Sequence, residues 1–152
     1  MDIEIKKLES DDIGLFLNLI SVFKEVFEWH SLPPGPLHLQ KVLNNNCFIV
    51  FIAISGNLVV GGLTAYVLER YDTEKPSAYI YDLAVIKEMQ RNGVGKKLIT
   101  AFTTYCNEND FSEAFVQAEI EDSHAINFYR NTVVSSELQA IHFTYSFETG
   151  KV

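Results

Sequence analysis

A short polar loop with two glycines is the part of the chain best suited to binding an anion. It spans Gln90–Gly95 and separates an apolar, β-branched run from an amphipathic run. A strand and then a helix are predicted there, so Gly93 and Gly95 fall in the first helical turn, where backbone N–H groups have no intrahelical partner. These groups and the helix dipole favour a phosphate, and Gln90 and Arg91 add side-chain donors. The alternative is an ordinary strand-to-helix turn that uses glycine only for its torsion angles.

Two familiar phosphate motifs do not fit this loop. The P-loop of nucleotide-hydrolysing enzymes ends in Gly-Lys-Ser/Thr, which this loop lacks. The dinucleotide fingerprint requires a third glycine and an acid at the end of a second strand. The loop therefore predicts an anion site of another kind.

An acidic residue in the middle of an apolar strand is the first candidate for proton transfer. Asp82 lies within Tyr79–Val85, whose alternation predicts a strand with Ile80, Asp82 and Ala84 on one face. An unpaired buried carboxylate is costly, which favours a general-base role for Asp82. The alternative is a structural acid that accepts hydrogen bonds from the backbone.

Three further carboxylates follow in the next predicted strand and at the start of the next helix. Glu119 is expected at the end of that strand, and Glu121 and Asp122 come soon after it. They are candidates for a site role, but a solvated loop, or for Asp122 a helix cap, explains them equally well.

The elements that position these residues alternate between strand and helix patterns along a single predicted domain, residues 1–152. Periodicity and turn residues predict strands at Ile3–Lys6, Cys47–Ile54, Leu58–Leu68, Tyr79–Val85, Ala114–Ile120 and Leu138–Phe147. They predict helices after Ser10, through Leu37–Leu43, from Val94 to Cys106 and over Asp122–Asn131. Interleaved helices and strands indicate an α/β (α+β) fold around a central mixed sheet.

Charge and composition narrow the class of partner. The net charge is −8, from 20 acidic against 12 basic side chains. This balance disfavours nucleic acid, which needs a basic face, and it is compatible with a cationic substrate as well as with simple solubility. The longest apolar run, Cys47–Ile54, is too short to span a membrane.

The cysteines and the N-terminal residues predict a cytoplasmic protein without a metal. Cys47 and Cys106 lie in apolar contexts without metal-ligand spacing, which is typical of reduced core thiols. The first residues are acidic where a secretory signal is basic.

The loop and its surroundings resemble the GNAT superfamily of N-acetyltransferases. The superfamily motif Gln/Arg-x-x-Gly-x-Gly/Ala matches Gln90–Gly95, and its motif Ala-x-x-Phe/Leu-Tyr matches Ala125–Tyr129. The superfamily usually continues with a basic residue and Gly-Phe; here Arg130 is present but the glycine is not, which leaves the chain path after that helix open. The resemblance implies a GNAT fold, with a mixed, mostly antiparallel sheet of about six to seven strands and about four helices.

The resemblance also implies acetyl-coenzyme A as the cosubstrate. Its pyrophosphate would bind the loop, and its pantetheine arm would lie along the preceding strand, splayed from its neighbour by a bulge. Tyr129 matches a tyrosine that donates a proton to the departing thiolate; the alternative is a core tyrosine. The residues expected to bind the cosubstrate are Leu83, Ala84, Val85, Gln90, Arg91, Asn92, Gly93, Val94, Gly95, Lys96 and Asn127.

Within the superfamily the chain is most similar to the aminoglycoside 3-N-acetyltransferases. It shares their strand Tyr-Ile-Tyr-Asp-Leu-Ala-Val at Tyr79–Val85, and related segments at Ala65–Leu68, Val116–Glu119 and His142–Phe143. This similarity implies that the acceptor is the 3-amino group of an aminoglycoside and that the enzyme is a homodimer.

A polycationic acceptor requires a pocket with several acids. The residues expected to bind it are Tyr81, Asp82, Glu119, Glu121, Asp122 and Glu28, and those expected to act in catalysis are Asp82, Glu119 and Tyr129. The same acids suit a polyamine or a lysine-rich peptide. A non-catalytic module that keeps only the fold is the third alternative.

Overall fold

The structure is a computed structural model that describes residues 2–148. It contains two compact units, one that ends at Gln117 and one that begins at Ala118. The prediction of a single domain over 1–152 stays a prediction, and its ends lie outside the described residues. Within 2–148, no helix has both the length and the apolar character needed to cross a membrane.

The first unit contains most of the regular structure. Its elements are β1 (Ile3–Lys7), α1 (Ile13–Val26), α2 (Pro36–Leu43), β2 (Phe48–Ser55), β3 (Leu58–Leu68), β4 (Ser77–Val85), a one-turn 3-10 helix (Lys87–Met89), α3 (Val94–Glu108) and β5 (Glu113–Phe115). The strands form one sheet in the order β1-β2-β3-β4-β5. Neighbours are antiparallel as far as β4, and β4 pairs with β5 in parallel.

Helices cover both faces of this sheet. Phe16 and Leu19 of α1 are buried against Val50 and Ile52 of β2. On the other face, the Phe102 ring of α3 packs edge to face against the Phe51 ring of β2, with the ring centroids 5.9 Å apart. The strands thus read as nearly continuous apolar runs because both of their faces are buried.

The mixed α/β fold is confirmed, but among residues 2–148 the sheet has five strands rather than six to seven. Of the predicted strand Ala114–Ile120, only the beginning is formed, because the ladder between β4 and β5 ends at Tyr79–Phe115. The predicted helix over Asp122–Asn131 is confirmed as α4 (Ser123–Arg130) in the second unit.

The predicted last strand, Leu138–Phe147, is not formed among the described residues. A strand requires a neighbour to pair its backbone groups and to cover its apolar face. The segment has the alternation of a strand but no ladder partner, and its large apolar side chains are exposed. The prediction of a strand from the alternation of these residues is therefore wrong for the described chain.

A β-bulge in β4 overturns the predicted alternation around Asp82. Thr64 of β3 pairs with Asp82, but the next residue, Ala65, pairs with Ile80, so Tyr81 is an extra residue on β4. Because Thr64 and Ala65 point to opposite faces, Asp82 and Ile80 do too. The prediction that Ile80, Asp82 and Ala84 share one face is therefore wrong, since the bulge moves Asp82 and Ala84 to the face that α1 covers.

The close approach of β3 to β4 just beyond this bulge gives a test of the fold. A Cβ atom added to Gly61 would lie 2.8 Å from the carbonyl oxygen of Ala84 and 3.2 Å from the Cα of Val85. We expect Gly61→Ala to lower the free energy of unfolding by about 1–3 kcal/mol, measured by chemical denaturation.

Gly14→Ala is the matched control. Gly14 lies in α1, and nothing stands within 4 Å of its added Cβ. It should raise the free energy of unfolding by about 1 kcal/mol through helix propensity. Equal effects of the two substitutions would contradict the tight β3–β4 contact.

Candidate active site

The predicted anion loop ends in an open helix N-terminus. Gly93 is the N-cap of α3, with φ at 78°, and the first intrahelical bond joins the N–H of Lys97 to the oxygen of Gly93. The N–H groups of Val94, Gly95 and Lys96 therefore have no acceptor within the helix, and no described side chain caps them. Together they form a set of unpaired donors at the positive end of the helix dipole.

The side chains of the loop divide into structural and free donors. The side-chain amide of Gln90 donates to the oxygen of Val85 at 2.9 Å, so it holds the loop to the end of β4. Asn92 donates to the oxygen of Gln90 at 3.1 Å. Arg91, with φ at 63°, is exposed, as is Lys96. The prediction of two side-chain donors at Gln90 and Arg91 is refined, because the Gln90 amide is already engaged with the backbone.

The loop is locally basic in a chain of net charge −8. Lys87, Arg91, Lys96 and Lys97 are all exposed around the start of α3, with Glu88 as the one acid between Lys87 and Lys97 in the sequence. The net charge of the chain does not reveal this basic patch. Its positive charges add to the helix dipole, so the electrostatic field at the N-terminus of α3 attracts a phosphate.

Beside the loop, β4 has an edge without a strand partner. The β4–β5 ladder consists of three pairs and ends at Tyr79–Phe115, while β4 continues to Val85. Backbone groups of Leu83–Val85 that point toward the β5 side therefore have no ladder partner in the described sheet. An extended, amide-containing ligand can pair with such an edge as a strand would.

The bulge brings a carboxylate and three aromatic rings to one face of the sheet. The backbone N–H of Asp82 donates to the hydroxyl of Thr64 at 3.2 Å. The Tyr66 and Tyr81 rings stand edge to face at 5.4 Å, and Tyr79 lies 6.2 Å from Tyr81. The Tyr79 ring stacks on Phe115 of β5, with the ring centroids 4.8 Å apart, so the aromatic surface extends to β5. The Tyr79 hydroxyl donates to the side-chain oxygen of Gln117.

Burial raises the pKa of the Asp82 carboxyl above its ordinary value. Among the described residues, no group forms a hydrogen bond or an ion pair with this half-buried carboxylate. Burial and then the nearby charges of Tyr81 and Asp82 raise the pKa of Tyr66. Asp82 is thus a desolvated carboxylate without a structural partner, and the alternative of an acid held by backbone donors does not describe it.

Sequence reasoning missed Thr64 and Tyr66 as parts of this site. Both lie on β3, opposite the bulge, where they contact the β4 residues that were predicted. The segment Ala65–Leu68 was noted for its resemblance alone. Only the register of β3 against β4 shows that Thr64 orients the backbone at Asp82.

The acids of the second unit lie in the turn before α4. The N–H of Asp122 donates to the oxygen of Glu119 at 2.9 Å, and the Asp122 carboxylate caps α4 by accepting from the N–H of Ala125 at 3.0 Å. Glu119 and Glu121 are exposed. The prediction that Glu119 ends a strand is wrong, because β5 ends at Phe115.

The two candidates on α4 differ in burial. Asn127 is exposed, whereas Tyr129 is half-buried and packs edge to face on Phe128, with ring centroids 5.0 Å apart. The hydroxyl of Thr132 donates to the backbone oxygen of Tyr129 at 2.6 Å. These contacts hold the last turn of α4 that carries Tyr129.

Glu28 follows the end of α1 in a left-handed conformation, with φ at 54°. It is exposed and lies between Phe27 and Trp29, whose rings are 5.9 Å apart. Both rings also pack on the buried Phe23. The aromatic cluster fixes the chain at this point and leaves the Glu28 carboxylate in solvent.

The thiols and potential metal ligands take no part in this arrangement. Both cysteines are free thiols, and burial raises the pKa of Cys106 to about 11, so this thiol is not ionised near neutral pH. Among residues 2–148, no three His, Cys, Asp or Glu side chains are grouped to hold a metal ion.

The chain is similar over nearly its whole length to solved aminoglycoside acetyltransferases. One, meta-AAC0020 from an uncultured soil metagenomic sample, is 49% identical, with 96% of this chain and 97% of that one covered and a TM-score of 0.93. Its structures are complexes with trehalose and with sisomicin. A second, HMB0005, also from an uncultured soil metagenomic sample, is 30% identical, with 96% of this chain and 100% of that one covered and a TM-score of 0.84.

A solved structure with much lower sequence identity has the same fold. AAC(6')-Iy, solved with the bisubstrate analogue CoA-S-monomethyl-acetylneamine, is 16% identical, with 96% of this chain and 99% of that one covered and a TM-score of 0.78. No curated protein matches the chain.

The family comparison covers most of the elements described above. The model of the acetyltransferase (GNAT) family matches residues 16–132, from α1 through the end of α4. With this match, and with the whole-length identity to aminoglycoside acetyltransferases, the chain belongs to the acetyltransferase (GNAT) family.

Proposed function

We propose that this protein transfers the acetyl group of acetyl-coenzyme A to an amino group of an aminoglycoside, at the 3-position. The observation that carries the proposal is the 49% identity over 96% of the chain to an aminoglycoside acetyltransferase, a protein that has also been solved with sisomicin. The choice of the 3-amine rests on the sequence Tyr79–Val85, which resembles the aminoglycoside 3-N-acetyltransferases. In this proposal the bulge provides the general base and the loop provides the site for the donor's pyrophosphate.

The donor is proposed to lie across the loop and the free edge of β4. Its pyrophosphate fits the N–H groups of Val94–Lys96, with Arg91 and Lys96 adding positive charge. Its amide-containing arm fits the edge at Leu83–Val85, where the ladder with β5 has ended. The remaining proposed contacts are with Gln90, Asn92, Gly93 and Asn127.

The acceptor amine is proposed to lose its proton to Asp82. An ammonium group cannot attack, so the neutral amine forms first and its nitrogen bonds to the thioester carbonyl carbon. The carbonyl electrons move to the oxygen, and a backbone N–H of Leu83–Val85 that stabilises this oxygen contributes about 3 kcal/mol. The oxygen's electrons then re-form the carbonyl as the carbon–sulfur bond breaks, and the thiolate takes a proton from Tyr129, a phenol on α4. The nitrogen, which gained a positive charge on attack, loses its second proton to the Tyr129 phenolate, which leaves a neutral amide, a free thiol and a restored phenol.

Acidic and aromatic side chains are proposed to hold the polycationic sugar. Asp82 lies beside Tyr81, whose side chain is 60% exposed. Aromatic faces suit both sugar rings and ammonium groups. Glu28, Glu119, Glu121 and Asp122 are the further acids proposed for the acceptor, with Glu119 as a second candidate for proton transfer.

The protein is also proposed to act as a cytoplasmic homodimer. Its free thiols suit a reducing compartment. A dimer is what the similarity to the 3-N-acetyltransferases implies, and light scattering of the purified protein tests it.

The acceptor class is tested by measuring thiol release from acetyl-coenzyme A. We expect turnover with sisomicin to exceed turnover with spermidine and with a lysine-rich peptide by at least about tenfold in kcat/KM, since about 1.4 kcal/mol of differential binding in the transition state suffices for it. Turnover with spermidine or the peptide alone would assign the protein to another branch of the family. No turnover with any amine would indicate a binding module.

The role of Asp82 is tested by its substitution and by pH. Because burial raises the pKa of Asp82, kcat/KM should fall as the pH is lowered through a value above the ordinary 3.8. Asp82→Asn should lower kcat/KM by about 10²–10⁴-fold and remove this acid limb. The matched control is Asp110→Asn, an exposed residue with φ at 58° that asparagine tolerates.

Stability separates a catalytic effect from unfolding in this experiment. A raised carboxyl pKa in the folded state costs stability as the pH rises from 3.8 through the folded value, because the charged form is disfavoured by burial. Asp82→Asn removes that charge, so its melting temperature at pH 7 should be no lower than that of the wild type. Unchanged kcat/KM in Asp82→Asn would exclude Asp82 as the base.

The anion loop is tested by two glycines that share a positive φ. Gly93 (φ 78°) is the N-cap of α3, and Gly56 (φ 61°) lies in the β2–β3 turn. Alanine at either site costs about 1–2 kcal/mol of backbone strain. We expect Gly93→Ala alone to raise the KM for acetyl-coenzyme A, by roughly tenfold, since a loss of about 1.4 kcal/mol of binding gives that factor. An equal KM in both variants would contradict the loop assignment.

A further inference from the structure

Buried polar side chains are rare in the described chain, and one of them lies opposite the bulge. Among the described residues two polar side chains are buried, those of Thr64 and Ser77, each with 4% of its surface exposed. The Ser77 hydroxyl has charged partners, because it donates to the Glu113 carboxylate at 3.0 Å and accepts from the Arg70 guanidinium at 3.3 Å. The partner of the Thr64 hydroxyl is the backbone N–H of Asp82.

The surroundings of Thr64 suit an apolar residue. Its neighbours in β3, Leu63 and Ala65, have no exposed surface, and β3 is buried throughout residues 60–65. Valine has the shape of threonine and the same branching at Cβ, and it can be buried without the cost of desolvating a hydroxyl. What threonine adds at this position is therefore an acceptor for a hydrogen bond.

This hydrogen bond is made at the residue where the register of the sheet shifts. Thr64 pairs with Asp82, the next residue of β3 pairs with Ile80, and Tyr81 is the extra residue between the two pairs. A bulge disrupts the ladder locally, so backbone groups there can take side chains as partners. Because the Thr64 hydroxyl accepts from the N–H of Asp82 at 3.2 Å, it joins β3 to β4 directly beside the extra residue.

Two registers of β4 are possible at this point, and they place the Asp82 carboxylate on opposite faces of the sheet. Without the extra residue, Asp82 would share a face with Ile80, since strand residues two apart point the same way. Thr64 would then oppose Tyr81, and its hydroxyl would no longer stand across from Asp82. A contact that only one register allows raises the population of that register.

We infer that Thr64 is a positioning residue for Asp82, because its hydroxyl holds β4 in the bulged register and so keeps the carboxylate on the face where the acceptor is proposed to bind. The inference rests on the proposed function in one respect, the role of Asp82 as general base. Since Thr64 is buried, it acts through Asp82 and not on the substrate.

The effect on activity is tested with two substitutions of Thr64. Thr64→Val keeps the shape of the side chain and removes the acceptor. We expect it to lower kcat with sisomicin by about tenfold, the factor that corresponds to about 1.4 kcal/mol. The KM for acetyl-coenzyme A should not change, since the loop before α3 is untouched. Thr64→Ser keeps the hydroxyl and should retain most of the wild-type kcat.

The matched control removes the other buried hydroxyl of the described chain. Ser77 lies at the start of β4, outside the bulge, so Ser77→Ala should leave kcat unchanged. A fall in kcat that is equal in Thr64→Val and Ser77→Ala would overturn the inference, because it would trace the effect to any lost buried hydroxyl.

A double-mutant cycle separates positioning from a general loss of structure. If Thr64 acts through Asp82, Thr64→Val should lower kcat no further in a protein that already carries Asp82→Asn. A purely structural defect would lower kcat by the same factor in both backgrounds. Equal factors would therefore overturn the inference, as would a wild-type kcat in Thr64→Val.

Hydrogen exchange of the Asp82 amide tests the same contact without any substrate. In Thr64→Val this amide should exchange at least about tenfold faster than in the wild type, the factor for a change of about 1.4 kcal/mol in the opening free energy. Thr64→Ser should restore its protection. Unchanged exchange in Thr64→Val would overturn the inference. Faster exchange, in a protein whose wild type does not acetylate sisomicin, would overturn the proposed function and leave the hold of Thr64 on the bulge standing.

Discussion

One extra residue in β4 determines the geometry of the candidate site. At Tyr81 the register between β3 and β4 shifts, and from there to Val85 the backbone of β4 is displaced by one position relative to a regular ladder. The shift turns Asp82 onto the face that carries Tyr66 and Tyr79. It also coincides with the end of the β4–β5 ladder, so a desolvated carboxylate and an unpaired strand edge lie within a few residues of each other. A regular β4 would place Asp82 beside Ile80 in the core, where an unpaired charge is costly.

The two ends of the candidate site have opposite charge, as the proposed reaction between an anionic donor and a cationic acceptor requires. The loop before α3 combines open N–H groups with exposed lysine and arginine side chains, while the bulge carries a carboxylate among tyrosines. The net charge of −8 describes neither end. Local arrangement of charge, and not the total, therefore decides what can bind where.

Sequence patterns predicted the features that depend on neighbours along the chain. The loop Gln90–Gly95, its position between strand and helix, and the hairpin of β2 and β3 follow from local residue types, and the structure confirms them. The family resemblance implied a bulge in the strand before the loop, and β4 contains one at Tyr81. The position of this bulge, the participation of Thr64 and Tyr66, and the early end of β5 depend on how strands align across the sheet, which a local sequence pattern does not encode. The segment 138–147 shows the same limit, because its alternation predicts a strand and these residues form none in the part of the chain that the structure describes.

The most direct test of the central claim is the identity of the product. Sisomicin incubated with the protein and acetyl-coenzyme A would be analysed by mass spectrometry and by two-dimensional NMR, which together count the acetyl groups and locate the modified nitrogen. The account predicts a single added acetyl group on the 3-amino nitrogen. Unmodified sisomicin, or an acetyl group on a different nitrogen or on an oxygen, would contradict it.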